Sequence, residues 1–429
     1  MATEIYQPTL TTLPNGVSLL NAPTPSRNVG VFLIVRAGSR DETRETSGLA
    51  HYLEHMFFKG TSRRPTTKSI SEEIDRLGAS TNAYTDTEEV AYFAEGPATA
   101  MAELGDVICD MLSHPLFIAE EVDRERNVVM QELSMRLADP DGWIFDRIGT
   151  VAFGGEQPMS WSAAGFAEVI EHATREQLVD YHASFYSPES MCLVIAGGST
   201  LMADDAARLL ADIPHATPKP RVPAQWGQGE RYIADVRPDA EPQTRMLFAM
   251  PGIPALDPQR TALSVFTHIL GGGMSSRLFQ TVRERNGLAY SVYATHEGFD
   301  DAGLFAISTA TRPKDARRAI ELSFDELRKL AATPVSEDEL SVAKSSMIGR
   351  LLRSTETAMA SARFFGSRWR ARMPLETPDQ RADAVAKVTV DEVHAIGQQI
   401  LAGLPDVRLA MVGPEDQGPD LLDAALTPA

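Results

Sequence analysis

Residues 49–58 read LAHYLEHMFF, and this short stretch constrains the fold and the chemistry of the 429-residue chain more than any other. His51 and His55 are four residues apart, so on a helix both imidazoles lie on one face, about 5–6 Å apart at their Cβ atoms. Two such imidazoles can bind one Zn²⁺ ion. Glu54 lies near the same face, where it can take a proton from a water molecule on the metal. From these residues alone, the alternative is two helical histidines beside a solvent-exposed glutamate.

A catalytic zinc site normally has three protein ligands and one open position, so a third ligand is expected elsewhere in the chain. Residues 125–132 read ERNVVMQE. Glu125 and Glu132 are two helical turns apart and lie on nearly the same face. One carboxylate can bind the metal, while the other can orient a metal ligand through a hydrogen bond. The residues alone do not say which does which, and two solvated acids on a helix remain the alternative.

The His-x-x-Glu-His pattern is the inverted zinc-peptidase motif, and the chain resembles the pitrilysin family, peptidase family M16. The third ligand of that family is a distant glutamate, and 76 residues separate His55 from Glu132 here, the spacing that the family shows. A second family glutamate precedes the ligand by seven positions, where Glu125 stands. The resemblance therefore implies one Zn²⁺ per chain bound by His51, His55 and Glu132. It also implies Glu54 as general base and Glu125 as a supporting catalytic acid.

Two further segments resemble the substrate-binding parts of the family. Residues 77–85 read LGASTNAYT, which is similar to the family's edge strand. An unpaired edge binds the backbone of an extended peptide by adding it as a strand, and the resemblance implies that Asn82 and Ala83 make those contacts. Arg283 and Tyr290 resemble the family's substrate-clamping pair, in which the tyrosine donates to the developing oxyanion. Taken singly, Asn82 would be a turn residue and the other two would be surface residues.

The two halves of the chain carry the same signals in the same order. Thr174 precedes a predicted helix and an apolar strand that ends at Gly197, and Thr389 precedes the same elements up to Gly413. The threonines are 215 residues apart and the glycines 216. Both threonines are predicted N-caps. Because a whole series of sequence features recurs at nearly the same separation, the sequence predicts a duplicated domain.

Prolines separate these halves, and the sequence predicts three parts on that basis. Pro214, Pro218, Pro220 and Pro223 are followed by WGQG at residues 226–229. Prolines at this density form a semi-rigid, extended segment. We expect an N-terminal catalytic domain over residues 1–213, a linker over 214–229 and a homologous C-terminal domain over 230–429.

The predicted strands and helices interleave without strict alternation. This pattern favours an α+β fold over a doubly wound one. Each domain should be a mainly antiparallel β-sheet packed with α-helices, and the resemblance implies the M16/LuxS-like metallohydrolase fold.

Composition and charge exclude several classes of protein. The net charge is −19, of which residues 1–220 carry −16, and no basic stripe suited to nucleic acid is present. No apolar run is long enough for a membrane span, and the first ten residues lack the basic and apolar regions of a signal peptide. Cys109 and Cys192 lie in apolar runs, which predicts buried free thiols and a reducing compartment. We expect a bacterial cytoplasmic protein.

These observations predict a short, two-domain, processing-peptidase-like zinc metalloendopeptidase. Its expected substrates are short or unfolded peptides, and the acidic N-terminal half favours basic ones. In the family that the chain resembles, two-domain chains pair, and some pairs divide the zinc motif and the Arg/Tyr pair between two kinds of subunit. Because this chain carries both, the resemblance implies a homodimer. The alternatives are a non-catalytic structural subunit, as in the core proteins of a respiratory complex, and one subunit of a heterodimeric peptidase. A structural metal site is disfavoured because neither cysteine lies in the motif.

Overall fold

The computed structural model describes residues 7–216 and 220–428, and these residues form eleven strands and fifteen α-helices. The strands are β1 Thr9–Thr12, β2 Ser18–Pro23, β3 Asn28–Val35, β4 Ser80–Thr85, β5 Val90–Pro97, β6 Met191–Gly197, β7 Tyr232–Val236, β8 Thr244–Pro251, β9 Ala289–Gly298, β10 Gly303–Thr311 and β11 Arg408–Gly413. The helices are α1 Leu49–Phe57, α2 Thr67–Arg76, α3 Met101–Ser113, α4 Ala119–Ala138, α5 Pro140–Phe153, α6 Ala167–His172, α7 Arg175–Phe185, α8 Ala203–Leu209, α9 Arg260–Gly271, α10 Ala316–Ala332, α11 Glu337–Ser354, α12 Ala358–Arg370, α13 Pro378–Lys387, α14 Val390–Ala402 and α15 Gly418–Leu426.

The chain forms two compact units, and each unit takes residues from both halves of the sequence. The first unit combines the described residues of three segments, namely those up to Met135, Trp161–Val222 and Arg353–Thr377. The second combines Arg136–Ser160, Pro223–Leu352 and the described residues from Pro378 onward. Pro218 of the expected linker lies outside the described residues, and the proposed domain bounds stay a prediction.

The first unit is built on a six-stranded sheet in the order β1-β2-β6-β3-β5-β4, so β4 lies at an edge. Strands β2 and β6 run parallel, and the other neighbours are antiparallel. Strand β3 is almost wholly apolar because both faces of the sheet are covered. Val31 and Leu33 pack on the side of α1 and α3, whereas Phe32 and Ile34 pack against residues of α12.

The second unit repeats this arrangement with five strands in the order β7-β11-β8-β10-β9. Here too one pair, β7 and β11, is parallel and the remaining pairs are antiparallel. Helices α9, α10 and α14 cover one face of the sheet, and α5 covers the other. The predicted α+β fold class with mainly antiparallel sheets is therefore confirmed.

Several local predictions are also confirmed. Thr174 and Thr389 both cap helices, because their side chains accept hydrogen bonds from the backbone N–H groups of Gln177 and Glu392. Both cysteines are buried and free.

Within the described residues, no helix combines the length and the apolar character that crossing a membrane requires.

Candidate metal centre

One face of helix α1 is buried, and the residues of the other face belong to the candidate site. Its buried residues are Leu49, Ala50, Tyr52, Leu53, Met56 and Phe57, whereas His51, Glu54 and His55 are only half-buried. The apolar residues recur with the period of an amphipathic helix, so packing alone directs the two histidines to the same side. The helix predicted from the H-x-x-E-H spacing is confirmed.

The N-terminus of α1 is held by two glycines in close contact. Gly48 is the N-cap with a φ of 95°, in the left-handed region that favours glycine. A Cβ at Gly48 would lie 2.8 Å from the Cα of Gly165, which also has a positive φ of 77°. The chain can approach this closely only because both residues lack a side chain.

Glu42 caps the same helix end, and the sequence analysis did not identify it. Its carboxylate oxygens accept hydrogen bonds of 2.8 Å from the backbone N–H groups of Gly48 and Ala50. The side chain is buried, and this burial raises its pKa to about 8, although the backbone hydrogen bonds oppose the rise. An acid a few residues before a predicted helix is the sequence signal that could have indicated the cap.

Three candidate metal-binding atoms form a nearly equilateral triangle, and they belong to His51, His55 and Glu132. The two Nε2 atoms are 3.4 Å apart, and Oε2 of Glu132 lies 3.5 Å from that of His51 and 3.4 Å from that of His55. Tetrahedral zinc with bonds of about 2.0–2.1 Å needs ligand atoms about 3.3–3.4 Å apart. The donor set therefore fits a zinc ion. Among the described residues, it is the one group of three or more metal-binding side chains this close together.

Glu125 is not one of the three metal-binding side chains but contacts one of them, His55. Its Oε2 lies 3.0 Å from Nδ1 of His55, so the carboxylate accepts the Nδ1 proton and leaves Nε2 free to bind a metal. Its other oxygen lies 2.5 Å from the ammonium of Lys59. Burial acts to raise the pKa of Glu125, but the hydrogen bonds from His55 and Lys59 hold it below the usual range. Lys59 is a second contact that the sequence analysis did not identify.

Glu54 has a different environment, although it lies on the same helix as the histidines. Its Oε2 accepts a hydrogen bond of 2.6 Å from the hydroxyl of Thr85 at the end of β4. Burial raises the pKa of Glu54 above its usual value, and the hydrogen bond from Thr85 opposes that rise. The two acids thus differ, because Glu125 is paired with the Lys59 ammonium and Glu54 is held by a neutral hydroxyl.

Asn82 and Ala83 lie on β4, the edge strand of the first unit. Their antiparallel partners on β5 are Phe93 and Tyr92, and the opposite side of β4 has no strand beside it among the described residues. The backbone N–H of Ala83 donates to Oδ1 of Asn82 at 2.8 Å. The edge is therefore suited to pairing with an added strand, once the Asn82 side chain moves aside.

Arg283 and Tyr290 lie together in the second unit. The guanidinium of Arg283 donates to the backbone carbonyl of Tyr290 at 2.7 Å and lies 4.7 Å above the rings of Tyr290 and Phe279. Tyr290 is 78% exposed, so its hydroxyl is free to meet a ligand. The structure brings these two residues into contact within the second unit.

Comparison with known proteins gives a consistent result. A model described as the insulinase family, peptidase family M16, matches residues 17–159, and one described as the peptidase M16 inactive domain matches residues 172–347. An uncharacterized zinc protease of Streptomyces coelicolor is 32% identical over 94% of this chain and 89% of its own length. The uncharacterized zinc protease YmxG of Bacillus subtilis is 28% identical over 95% of this chain and 98% of its own length.

Fold comparison agrees with the sequence relationships. The crystal structure of a protease from Helicobacter pylori has a TM-score of 0.84 with 18% identity, over 96% of this chain and all of that one. This likeness extends through both units and shows the fold. The resemblance predicted from the spacing of the two histidines and Glu132 is thus confirmed, and the chain belongs to peptidase family M16.

Proposed function

We propose that this protein is a zinc-dependent metalloendopeptidase that hydrolyses short or unfolded peptides. The observation that carries the proposal is the group of donor atoms from His51, His55 and Glu132, with Glu54 on the same helix. Three protein ligands from two histidines and one carboxylate are typical of catalytic rather than structural zinc, which is usually closed by four ligands. The names of the relatives, which are called zinc proteases, support the choice of metal.

The side chains have distinct roles in this proposal. Bound zinc would supply a Lewis acid that polarises the scissile carbonyl and makes water more acidic. Glu54 takes the proton from the attacking water and later gives it to the leaving amine. Glu125 keeps His55 in the tautomer that binds metal through Nε2.

The substrate-binding residues are proposed from the family resemblance and from their surroundings. Asn82 and Ala83 would bind the substrate backbone as an added strand on β4. Arg283 would hold a substrate carbonyl, and Tyr290 would donate a hydrogen bond to the developing oxyanion. The charge of −16 in residues 1–220 supports a preference for basic peptides.

We also propose a homodimer in the bacterial cytoplasm. The presence of both the zinc motif and the Arg283/Tyr290 pair in one chain supports an assembly without a second kind of subunit. The two buried free cysteines suit a reducing compartment. Light scattering that gives a particle of one chain would contradict the dimer without affecting the proposed activity.

The deciding experiment compares wild type with Glu54→Gln on a basic fluorogenic peptide. Each protein is first loaded with zinc, and each is assayed with and without a chelator. We expect chelator-sensitive cleavage by wild type and a loss of about 100- to 10,000-fold in Glu54→Gln, since the base is gone while the ligands remain. Glu120→Gln, an exposed acid on α4, is the matched control and should cleave normally.

The outcomes separate the candidate functions. Equal activity in wild type and Glu54→Gln would contradict the mechanism. No cleavage by the zinc-loaded wild type would contradict an independent peptidase and favour a non-catalytic subunit or one half of a heterodimeric enzyme. Preference for an acidic peptide over a basic one of the same length would overturn only the proposed charge selectivity.

A further inference from the structure

Among the described residues, Thr85 makes the one side-chain hydrogen bond to the proposed general base. Its Oγ1 donates to Oε2 of Glu54 at 2.6 Å, and no described residue forms a hydrogen bond with Oε1. A threonine hydroxyl has a single proton to donate, so the contact occupies one carboxylate oxygen and leaves the other as a free acceptor. Because the donor is neutral, it orients the carboxylate without the charge pairing that Lys59 gives to Glu125.

The position of Thr85 is itself tightly fixed. It is the last residue of β4 and pairs with Val90 of β5 in the antiparallel ladder. The following turn is closed by a hydrogen bond of 2.8 Å from the N–H of Asp86 to the carbonyl of Glu89. As a β-branched residue, threonine also has few accessible χ1 rotamers.

A buried ion-pair network holds this turn in place within the first unit. Arg40 pairs with Glu88 at 2.6 Å, and both side chains are almost completely buried. Arg370, which lies in the second half of the sequence, pairs with Glu88 at 2.6 Å and with Glu89 at 2.7 Å. The backbone N–H of Arg40 also donates to the carbonyl of Thr87 at 2.9 Å. The hydroxyl of Thr85 is thus presented from a rigid support, as precise positioning of a side chain requires.

We propose that Thr85 is the positioning residue of Glu54, and that its hydroxyl holds the carboxylate so that Oε1 faces the attacking water. This inference rests on the proposed function. In the reaction, Oε1 accepts one proton from water while the water oxygen bonds to the carbonyl carbon. That proton passes to the amide nitrogen as the C–N bond breaks, and Thr85 keeps its own proton throughout. Without the hydroxyl, the glutamate side chain samples rotamers in which neither oxygen reaches the water.

The test uses two variants of Thr85 and one control. Thr85→Val keeps the shape and removes the hydroxyl, whereas Thr85→Ser keeps the hydroxyl. Thr309→Val is the control, since Thr309 is a buried strand threonine whose hydroxyl donates to the backbone carbonyl of Ser291. We expect Thr85→Val to lower kcat by about 10- to 100-fold with little change in KM or bound zinc. Thr85→Ser and Thr309→Val should stay within about threefold of wild type.

A second readout does not depend on activity. Metal-free wild type, Thr85→Val, Glu54→Ala and the double variant are compared by thermal unfolding. Alanine is used because glutamine would keep an oxygen that accepts the hydrogen bond from Thr85. Because both single changes break the same contact, the shift in Tm of the double variant should be smaller than the two single shifts added together. Thr309→Val combined with Glu54→Ala should instead give additive shifts.

The results distinguish failure of the inference from failure of the proposed function. Wild-type kcat in Thr85→Val, or additive shifts in Tm with Glu54→Ala, would overturn the role of Thr85 while leaving the peptidase intact. A parallel fall in kcat for Thr85→Ser and Thr85→Val would also overturn it, because the hydroxyl would then not be the cause. A zinc-loaded wild type that cleaves nothing would overturn the proposed function and the positioning role of Thr85 together.

Discussion

Glu42 is a buried carboxylate whose protonation should affect folding. Its pKa is raised to about 8 by burial, whereas an unfolded chain has a glutamate pKa of about 4.3. Between these values the folded protein holds a proton that the unfolded chain has lost, so the free energy of unfolding falls as pH rises. Glu42→Gln removes this contribution. The free energy of unfolding of the variant minus that of wild type should therefore rise by on the order of 4 kcal/mol as the pH goes from 5 to 8.

Urea unfolding of metal-free wild type and Glu42→Gln at several pH values measures this difference. Other titrating groups, such as the buried His182 whose pKa is lowered to about 4, cancel because they are present in both proteins. Glu45→Gln changes an exposed acid and should give a constant difference over the same range. A Glu42→Gln difference that does not vary with pH would contradict the raised pKa.

Glu125 should control how tightly the metal is bound. Glu125→Ala removes the acceptor for the Nδ1 proton of His55, so the ligand loses both its orientation and its fixed tautomer. Loss of such a supporting contact typically costs 10- to 100-fold in metal affinity, and we expect a decrease of about this size. Competition with a zinc-binding dye gives the dissociation constant. Glu120→Ala, on the same helix but exposed, should bind zinc as wild type does.

At this scale, the sequence predicted the residues whose spacing is local or shared with a family. His51 and His55 follow from helical periodicity, whereas the choice of Glu132 over Glu125 as the ligand followed only from the resemblance, because no local rule links residues with 76 others between them. Thr85 ends the segment at residues 77–85 and Lys59 directly follows the segment at residues 49–58, but neither had a predicted role. Their contacts depend on how β4 and the end of α1 pack against the site, and a one-dimensional pattern does not contain that information.

Among the secondary-structure elements, α1 begins at a close contact between two backbone segments. Gly165 has a φ of 77°, and a Cβ there would lie 2.5 Å from the carbonyl oxygen of Ser47. Gly165→Ala should therefore lower the free energy of unfolding by about 3–5 kcal/mol, since strain and a backbone clash act together. Gly78→Ala is the matched control, with a φ of 65° but no atom within 4 Å, and should cost about 1–2 kcal/mol.

Urea unfolding of the two glycine variants tests whether the contact or the dihedral angle matters. Equal losses in Gly165→Ala and Gly78→Ala would show that backbone strain alone explains the effect, contrary to the packing argument. Because Gly165 touches the start of α1, we also expect Gly165→Ala to bind zinc more weakly than Gly78→Ala.

Sequence patterns predict some elements closely and leave others unrecognised. The apolar positions of residues 101–113 recur regularly enough to predict a helix there, and α3 has the same bounds. Helix α5 was not predicted, although Asp139 caps it and Pro140 occupies its first turn. That Asp-Pro pair is a helix-start signal, and the buried Ile144, Ile148 and Val151 recur with helical spacing, so the sequence carried a signal for this helix. Only the tertiary fold shows that α5 has a partner.

For the whole molecule, the most important feature is that α12 completes the first unit from far along the sequence. Phe365 and Trp369 of α12 pack with Phe32 and Val194 on one face of the sheet. Without α12, this apolar face would be exposed to water. Contiguous apolar surfaces of more than a few hundred Å² promote association or aggregation. The contact between distant segments is also why sequence patterns within the first half could not predict the complete core.

A fragment of residues 1–229 should therefore fail to behave as an independent protein. It contains the zinc motif and all six strands of the first sheet, but it lacks Arg353–Thr377. We expect it to aggregate and to bind a hydrophobic dye strongly. A peptide of residues 353–377 added during refolding should reduce dye binding, because it restores both the apolar cover and the Arg370 ion pairs with Glu88 and Glu89.

The matched control is the same peptide with Phe365 and Trp369 both changed to alanine. Replacing large buried aromatic residues by alanine costs about 3–5 kcal/mol each, so this peptide should leave dye binding unchanged. A fragment that stays monomeric, excludes the dye and unfolds cooperatively without the peptide would contradict the argument. In that case the first half would have a sufficient core of its own, and α12 would be an addition to the first unit rather than part of its core.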